Sequence, residues 1–245
     1  MIEALGVKVD YFATRPAGEP LILAIPCVGV DLARIEGHVS SEEKIRAARF
    51  RFVNDRKLYL VARATLRIVL GRIFQSNGVH VPLYFSDSGK PFLRNGPAFS
   101  ISHSGGVVLV GFAWETEIGV DVEVLRAFPD IQSLATSCLA ASELAELNRI
   151  DSVDQRAIRL LSFWTRKEAI TKALGLGLAL PFHSFSCLDQ EGPRVIREEG
   201  AAVAKRQWSV LDWGLPASHI GAVAVAGPVQ RYIRVTANTA SFLLP

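Results

Sequence analysis

The chain has 245 residues, 49% of them hydrophobic and 21% charged, which is enough to bury the core of one large domain or of two smaller ones. Its apolar runs, such as VVLVGFAW at 107–114, fall far short of the roughly 18 residues that a membrane-spanning helix needs. Three widely spaced cysteines form no CxxC pair, which argues against a zinc site or a disulfide framework. The first segment, MIEALGVKVDYF, has no apolar signal sequence, so a cytoplasmic protein is expected.

The first predicted helix covers 41–74, with Ser40 or Ser41 as its N-cap and apolar residues recurring every three or four positions. The formal net charge of the chain is only +3, but the stretch 46–72 holds eight basic residues and one acid, a local charge of +7. A basic surface of this kind suits a phosphate-rich ligand or an acidic partner, and a solvated helix face gives the same pattern. This segment alone leaves both interpretations open.

The next elements are predicted from turn signals and apolar patterns. GVHVPLYFSDSGKPFL, at 78–93, is typical of strand, turn and strand, and 98–124 is typical of three short strands separated by Ser-Gly and Glu-Thr turns. The stretches 133–150 and 154–175 are predicted helices, the second ending at Gly175. The chain from Phe182 onward is predicted to be rich in strands, including HIGAVAVAG at 219–227.

Two faint internal similarities suggest that the chain has two related halves. SHSGGVVLV at 102–110 resembles SHIGAVAVA at 218–226, and the helix VARATLRIVLG resembles WTRKEAITKALG in its basic residues and its Leu-Gly ending. These similarities predict two α/β subdomains, 1–116 and 117–245, with a ligand at their junction.

The strand-like segment IGVDVEV at 118–124 carries two acids in an apolar setting. Asp121 and Glu123 are two residues apart, so their side chains share one face of the strand, about 7 Å apart. Two like charges in such a place need a cation between them or contact with water. A metal ion, basic side chains and bulk water at a sheet edge are the three alternatives.

A third acid lies on the second predicted helix. Glu168 and Lys172 are four residues apart and share one helix face, with Trp164 one turn earlier. If that face packs across the acid pair, three carboxylates with no nearby His or Cys favour Mg²⁺, which phosphate groups usually help to hold. The alternative is an exposed Glu168–Lys172 salt bridge beside two acids at a wet strand end.

The turn SISHSGG presents Ser102 and His103 before two glycines, where hydroxyl, imidazole and backbone N–H groups can bind a phosphate. Lys90 lies in the turn SDSGKPFL, which matches no P-loop pattern and is a weak signal by itself.

Taken together, these motifs are specific. GKPFL, FSISHSGG, IGVDVE, FWTRKEAITKALGLGL and LPFHSFS occur in an order and spacing that resemble those of the Sfp-type 4′-phosphopantetheinyl transferases, from about Arg46 to at least Phe185. The resemblance implies transfer of phosphopantetheine from coenzyme A to a serine of an acyl or peptidyl carrier protein. It also implies a mixed α/β (α+β) fold, a pseudo-twofold pair of subdomains with the active site in the cleft between them.

The resemblance assigns a role to each candidate residue. The Mg²⁺ ligands of the family match Asp121, Glu123 and Glu168, and its catalytic lysine near the pyrophosphate matches Lys172. Contacts to the 3′-phosphoadenosine match Ser102, His103 and Lys90. A further phosphate contact matches Arg46. Lys167 and Trp164 match positions of less defined role. Glu43 departs from the family, since some members carry lysine there, so coenzyme A phosphate contacts are expected to be fewer.

The implied reaction is attack of the carrier serine on the β-phosphate of coenzyme A, which releases 3′,5′-ADP. Glu168 is the candidate base, in competition with its role as a metal ligand. The edge 124–135, with apolar residues around Arg126, is a candidate docking site for the carrier, although ordinary core packing explains it as well. A monomer is expected, with no nucleic acid or membrane partner. The alternatives are a nucleic-acid-binding module that uses 46–72 and an inactive scaffold of the same fold.

Overall fold

The computed structural model of the protein describes residues 18–188, 196–197, 207–215 and 218–236. The N-terminal segment from which a cytoplasmic location is predicted lies outside these residues. Within them, no helix combines the length and the apolar character needed to cross a membrane. Both helices and β-sheets are well represented along the chain, which confirms the predicted α/β (α+β) class.

The described part of the chain before residue 114 contains three strands of the first main sheet, a separate two-stranded hairpin, one long helix and two short helices. Its elements are β1 (Leu21–Pro26), α1 (Leu32–Glu36), α2 (Ser41–Ala47), α3 (Val53–Ile73), β2 (Tyr84–Phe85), β3 (Pro91–Phe92), β4 (Ala98–Ser104) and β5 (Val107–Ala113). We call this part the N-half. A single 3₁₀ turn, Gly78–His80, follows α3 among these elements.

The part of the chain after residue 117 repeats this plan, and we call it the C-half. Its elements are β6 (Ile118–Val124), α4 (Ile131–Cys138), α5 (Ala141–Leu147), α6 (Val153–Leu174), β7 (Phe185–Ser186), β8 (Ile196–Arg197), β9 (Trp208–Trp213), β10 (His219–Ala226) and β11 (Ile233–Thr236). Two 3₁₀ turns, Gly177–Ala179 and Phe182–Ser184, follow α6.

The two main sheets have matching strand orders. In the first sheet β1, β5 and β4 are neighbours, and in the second β6, β10 and β9 are neighbours, with antiparallel pairing throughout both sets. β11 adds to the outer edge of β1 in parallel, so the last described strand returns to the N-half. The predicted division at 116 and 117 falls between β5 and β6, and its role as a domain boundary remains a prediction.

Three clusters of buried side chains hold these layers together. α3 packs on the first sheet over one apolar cluster, and α6 packs on the second sheet over another. A third cluster, which includes Ile22, Leu109, Val120 and Val223, lies between the two sheets and joins the halves. Apolar packing within each half and between the two sheets therefore fixes the relative position of the two walls of the cleft.

The predicted helix 41–74 is wrong in one respect, because the structure has two helices separated at Ala48–Phe52. No glycine or proline marks this break. The ring of Phe50 instead packs against that of Tyr59, with centroids 5.3 Å apart, which turns the chain back onto α3. The predicted helix 133–150 is likewise two helices, because the N–H of Ala140 binds the Glu143 carboxylate and starts a new helix there.

Two buried ion pairs show how the halves correspond. Glu43 of α2 binds Arg67 of α3, whose guanidinium also donates to the carbonyls of Gly78 and Val81. In the C-half, Glu143 of α5 binds Lys167 of α6. The Lys167 ammonium donates to the carbonyls of Phe182 and Phe185.

This correspondence corrects the register of the internal similarities. Aligning the two helices on their Leu-Gly endings matches Arg63 with Lys167, whereas the ion pairs match Arg67 with Lys167, one helical turn later. Gly175 is a true left-handed C-cap with φ of 72°, but Gly71 lies inside α3. The Ser-His pair at 102–103 lies on β4, while that at 218–219 opens β10, whose counterpart is β5.

Candidate active site

One cleft of about 640 Å³ lies between the halves, and it collects all the site residues that the sequence predicts. The residues from the N-half are Arg46, Lys90, Ser102 and His103. The residues from the C-half are Asp121, Glu123, Glu168 and Lys172. These side chains come from a helix, a hairpin turn, two strands and a second helix, so only the tertiary fold brings them together.

Helix α6 supplies one wall of the cleft. Ser152 caps its first turn by accepting the N–H of Gln155, and Gly175 ends it. Trp164, Glu168 and Lys172 recur at intervals of four and line the cleft, as the sequence spacing predicts. The opposite face is buried, because residues such as Phe163 and Ile170 pack in the core of the C-half.

The two acids of β6 accept hydrogen bonds from neighbouring side chains. Asp121 is 3% exposed, and its Oδ1 accepts the Ser102 hydroxyl at 2.8 Å and the Lys172 ammonium at 2.6 Å. Its Oδ2 is buried and has no hydrogen-bond partner in the described structure. Glu123 is half-buried and accepts the Ser104 hydroxyl at 2.9 Å. In this structure Lys172 is therefore the cation that offsets the like charges.

The third acid, Glu168, faces the same space from α6. Burial raises the pKa of Glu168; the charge of Lys172 opposes this, and the charges of Asp121 and Glu123 raise the pKa further. The described residues contain no ready-made group of three acidic, histidine or cysteine side chains at metal-binding separation. Glu168 interacts electrostatically with Asp121, Glu123 and Lys172, and Lys172 contacts Asp121 directly.

The donor set is chemically suited to a hard cation. Three carboxylates provide oxygen ligands, which Mg²⁺ prefers, and there is no competing sulfur or imidazole among them. The buried Oδ2 of Asp121 is the clearest sign of fit, since buried polar atoms are normally paired and this one points to an additional partner.

The opposite wall is basic and aromatic, and two of its residues, Tyr59 and Arg63, are not among the site residues that the sequence predicts. The guanidinium carbons of Arg46 and Arg63 lie 5.7 and 5.5 Å from the ring centre of Tyr59. Arg63 is 8% exposed, and its Nη1 is buried with no hydrogen-bond partner in the described part of the chain. The available signal was an arginine four residues after a tyrosine, in the most apolar part of the helix, residues 58–66.

Ser102 and His103 differ in how free they are to bind a ligand. The Ser102 hydroxyl donates to Asp121 and accepts the Val122 N–H and the Lys172 ammonium, so its hydrogen-bonding capacity is fully used. The side chain of His103 is exposed at the rim of the cleft. Partial desolvation lowers the pKa of His103, and the charge of Lys172 acts in the same direction.

Lys90 reaches the cleft but binds protein groups. Its ammonium donates to the carbonyls of Lys172, at 2.5 Å, and Ala173, at 3.0 Å, where α6 ends. The hydroxyl of Ser88, in the same hairpin turn, donates to the Gly175 carbonyl at 2.8 Å. Desolvation lowers the pKa of Lys90. The turn between β2 and β3 therefore caps the C-terminus of α6 and connects the two halves.

Other sequence-predicted features lie outside the cleft or are only partly exposed. Lys167 is completely buried in its ion pair with Glu143. Its role in the motif is therefore a structural one inside the C-half, away from the cleft. On the 124–135 edge, Phe128, Ile131 and Leu134 are half-buried and pack against the core of the C-half, while Arg126 is exposed. Part of this edge is therefore core.

The basic stretch 46–72 is not one continuous surface. Arg67 is buried in its ion pair, and Arg63 is buried against the cleft. Its exposed cations are Arg46, Arg49, Arg51 and Arg72. The alternative of a nucleic-acid-binding helix therefore gains no support from a continuous basic face.

Comparison with known proteins assigns both halves to one group. Residues 117–225 match a family described as the 4′-phosphopantetheinyl transferase superfamily, and residues 29–114 match one described as the 4′-phosphopantetheinyl transferase N-terminal family.

Three curated relatives show the extent of the similarity. The chain is 31% identical to the 4′-phosphopantetheinyl transferase HetI of Nostoc sp., over 77% of this chain and 79% of that protein. It is 30% identical to the 4′-phosphopantetheinyl transferase Sfp of Bacillus subtilis, over 65% and 70% of the respective chains. It is 33% identical to a putative 4′-phosphopantetheinyl transferase of Synechocystis sp., and that match spans only 58% of either chain.

Proposed function

The chain belongs to the 4′-phosphopantetheinyl transferase superfamily, and on this premise we propose that it transfers the 4′-phosphopantetheine group of coenzyme A to a serine of an acyl or peptidyl carrier protein. The observation that carries the proposal is that Asp121, Glu123, Glu168 and Lys172 line one cleft, with Lys172 in contact with Asp121. Family membership confirms the resemblance drawn from the sequence motifs.

Coenzyme A lies with its 3′-phosphoadenosine end toward the N-half. Arg46, Arg63 and His103 supply the positive or hydrogen-bonding groups of that wall, and the unpaired Nη1 of Arg63 is a buried donor available to a phosphate oxygen. Tyr59 provides an aromatic surface between the two arginines. In this arrangement the pyrophosphate faces Lys172 and the acids of the C-half.

Asp121, Glu123 and Glu168 are the residues that would hold Mg²⁺. Bound there, the ion would offset the negative charge that develops on the pyrophosphate oxygens as the leaving group departs. Lys172, which contacts Asp121 and lines the same cleft, would supply a further positive charge to the pyrophosphate. The Oδ2 of Asp121 is buried without a hydrogen-bond partner among the described residues, which leaves it available to the metal ion.

The chemical step is a displacement at the β-phosphorus. The carrier serine oxygen forms the new P–O bond, the bond to the bridging oxygen of 3′,5′-ADP breaks, and the serine proton passes to a base. We assign the base to Glu168, because it faces the cleft from α6 beside Lys172. Both walls of the cleft come from one chain, so a monomer is sufficient for the reaction.

The test is to incubate the protein with apo acyl and peptidyl carrier proteins, coenzyme A and Mg²⁺ and to measure carrier mass. A mass gain of one phosphopantetheine on at least one carrier, lost when the carrier serine is replaced by alanine, is the expected result. No gain on any of a panel of carriers that Sfp modifies in parallel would contradict the proposal and favour an inactive scaffold of the same fold.

A further inference from the structure

The two main sheets meet through a row of hydroxyl groups instead of a backbone ladder. Ser100, Ser102 and Ser104 alternate along β4, so their side chains share one face, and we call them the serine ladder. Each Oγ accepts one backbone N–H of β6, at distances of 3.1, 3.3 and 3.1 Å in chain order. The three donors are Val120, Val122 and Val124.

These bonds determine where each serine proton goes. An Oγ that accepts a backbone N–H keeps its own proton free to donate. Ser102 donates to Oδ1 of Asp121 at 2.8 Å, and Ser104 donates to Oε2 of Glu123 at 2.9 Å. Asp121 directly precedes Val122, whose N–H Ser102 accepts. Glu123 directly precedes Val124, whose N–H Ser104 accepts.

Ser100 is a natural control within the ladder. It accepts the N–H of Val120, but the residue before Val120 is Gly119, which has no side chain to receive a proton. Two serines of the ladder therefore bind both a backbone N–H and a carboxylate, whereas Ser100 binds only a backbone N–H.

We propose that Ser104 is a positioning residue for Glu123, and Ser102 for Asp121, so that the serine ladder holds both carboxylates in the orientation that a metal ion needs. This inference rests on the proposed function, because it takes the two acids as Mg²⁺ ligands. A glutamate side chain has several rotamers, and fixing one of them in advance removes an ordering cost from binding. Hydrogen bonds to metal-binding side chains commonly act in this way.

Ser104 is the better residue to test. Ser102 also accepts the Lys172 ammonium, at 3.0 Å, so its replacement would disturb the lysine as well as Asp121. The bonds of Ser104 reach only Val124 and Glu123 among the contacts described, and neither contributes a reacting atom.

The experiment measures metal binding without turnover. Mg²⁺ is titrated by calorimetry into protein saturated with coenzyme A, with no carrier present, for wild type, Ser104→Ala, Ser104→Cys, Ser104→Thr and Ser100→Ala. Loss of the hydroxyl in Ser104→Ala is expected to weaken Mg²⁺ binding about 10- to 100-fold. Ser104→Cys keeps the volume but donates weakly, so it is expected to behave like the alanine variant and serves if that variant does not fold.

The remaining variants separate positioning from general stability. Ser104→Thr retains the hydroxyl and is expected to bind Mg²⁺ within about 3-fold of wild type, which is small beside the loss expected for alanine. Ser100→Ala loses an equivalent backbone acceptor and is expected to keep wild-type affinity.

Two results would overturn the inference and leave the proposed function standing: unchanged Mg²⁺ affinity in both Ser104→Ala and Ser104→Cys, or an equal loss in Ser100→Ala. Absence of Mg²⁺ binding by the wild-type protein would overturn the metal site itself, and the inference with it.

Discussion

The two halves of the molecule share an equivalent buried ion pair and its contacts to two carbonyls, which we call the frame. They differ in the charged side chains that they present to the cleft. In each half a buried glutamate binds a cation 24 residues later, and that cation also binds two carbonyls of the segment after the long helix. The cation is Arg67 in the N-half and Lys167 in the C-half. The frame fixes the helix ends and the connecting segments in the same way on both sides.

The cleft faces of the two helices differ completely. α3 presents Tyr59 and Arg63, while α6 presents Trp164, Glu168 and Lys172. All the acids that line the cleft, among the residues described, come from the C-half. The comparison teaches that the frame and the cleft are separable: equivalent buried ion pairs occur in both halves, whereas the cleft face carries arginines in the N-half and three acids with one lysine in the C-half.

The largest expected effect comes from breaking the frame. Lys167→Met and Arg67→Met each leave a buried carboxylate without its cation, and each is expected to lower the free energy of unfolding by about 3–5 kcal/mol. Denaturation with urea measures the loss. The double variants Lys167→Met/Glu143→Gln and Arg67→Met/Glu43→Gln remove the charge on both sides and should recover much of it. A loss confined to one half would contradict the equivalence of the two frames.

The next effect is on catalysis in the C-half. Asp121→Ala removes a proposed metal ligand and is expected to reduce transfer by about 100-fold or more. The substitution relieves repulsion between neighbouring acids but also removes the acceptor of the Ser102 and Lys172 hydrogen bonds, so a lower melting temperature is expected, and transfer is compared at a temperature where both proteins remain folded. The rate of holo-carrier formation is measured by mass spectrometry, with Asp151→Ala, an exposed acid outside the cleft, as control. Normal transfer by Asp121→Ala at low Mg²⁺ would exclude the metal-site interpretation.

Lys90 distinguishes the sequence-based role from the geometric one. The motif predicts a contact to the 3′-phosphate, so Lys90→Ala would weaken coenzyme A more than 3′-dephospho-coenzyme A. The structure has the ammonium on the α6 carbonyls, from which we expect both ligands to weaken alike, by about 10-fold or less, with a lower melting temperature. A loss of affinity for coenzyme A but not for 3′-dephospho-coenzyme A would instead support a contact between Lys90 and the 3′-phosphate.

The smallest expected effect is at the rim. If the carrier docks on 124–135, Arg126→Glu should raise the KM for apo carrier, by up to about 5-fold at low salt. The increase should be smaller at high salt, because exposed charges act mainly on the rate of association and salt screens them. Coenzyme A affinity should be unchanged. Arg149→Glu, also exposed, is the charge-matched control. An unaltered KM at low salt would place the carrier elsewhere on the surface.

The sequence was most informative where local rules apply. Alternation along a strand put Asp121 and Glu123 on one face, and four-residue spacing put Glu168 and Lys172 on another, so both faces were predictable before their packing was known. The strands at 98–124 and the Gly175 cap followed from turn and capping signals.

What the sequence did not reveal depends on tertiary contacts. Arg63 and Arg67 are similar residues on one apolar helix, and only packing separates the one in the cleft from the one in the core. The break at Ala48–Phe52 contains no glycine or proline and coincides with a contact between Phe50 and Tyr59. The Lys90 ammonium reaches carbonyls 82 and 83 positions away, which no local pattern encodes.

The division of the cleft between the halves is tested most directly by calorimetric binding of coenzyme A and 3′-dephospho-coenzyme A, without carrier, to Arg63→Met and Glu168→Gln. A charge-assisted hydrogen bond is worth about 1.5–3 kcal/mol, so Arg63→Met is expected to lose about 10- to 150-fold in affinity for coenzyme A and little for the dephosphorylated ligand. Glu168→Gln is expected to change both affinities equally. Equal losses of both ligands in Arg63→Met, or selectivity for the 3′-phosphate in Glu168→Gln, would contradict this division.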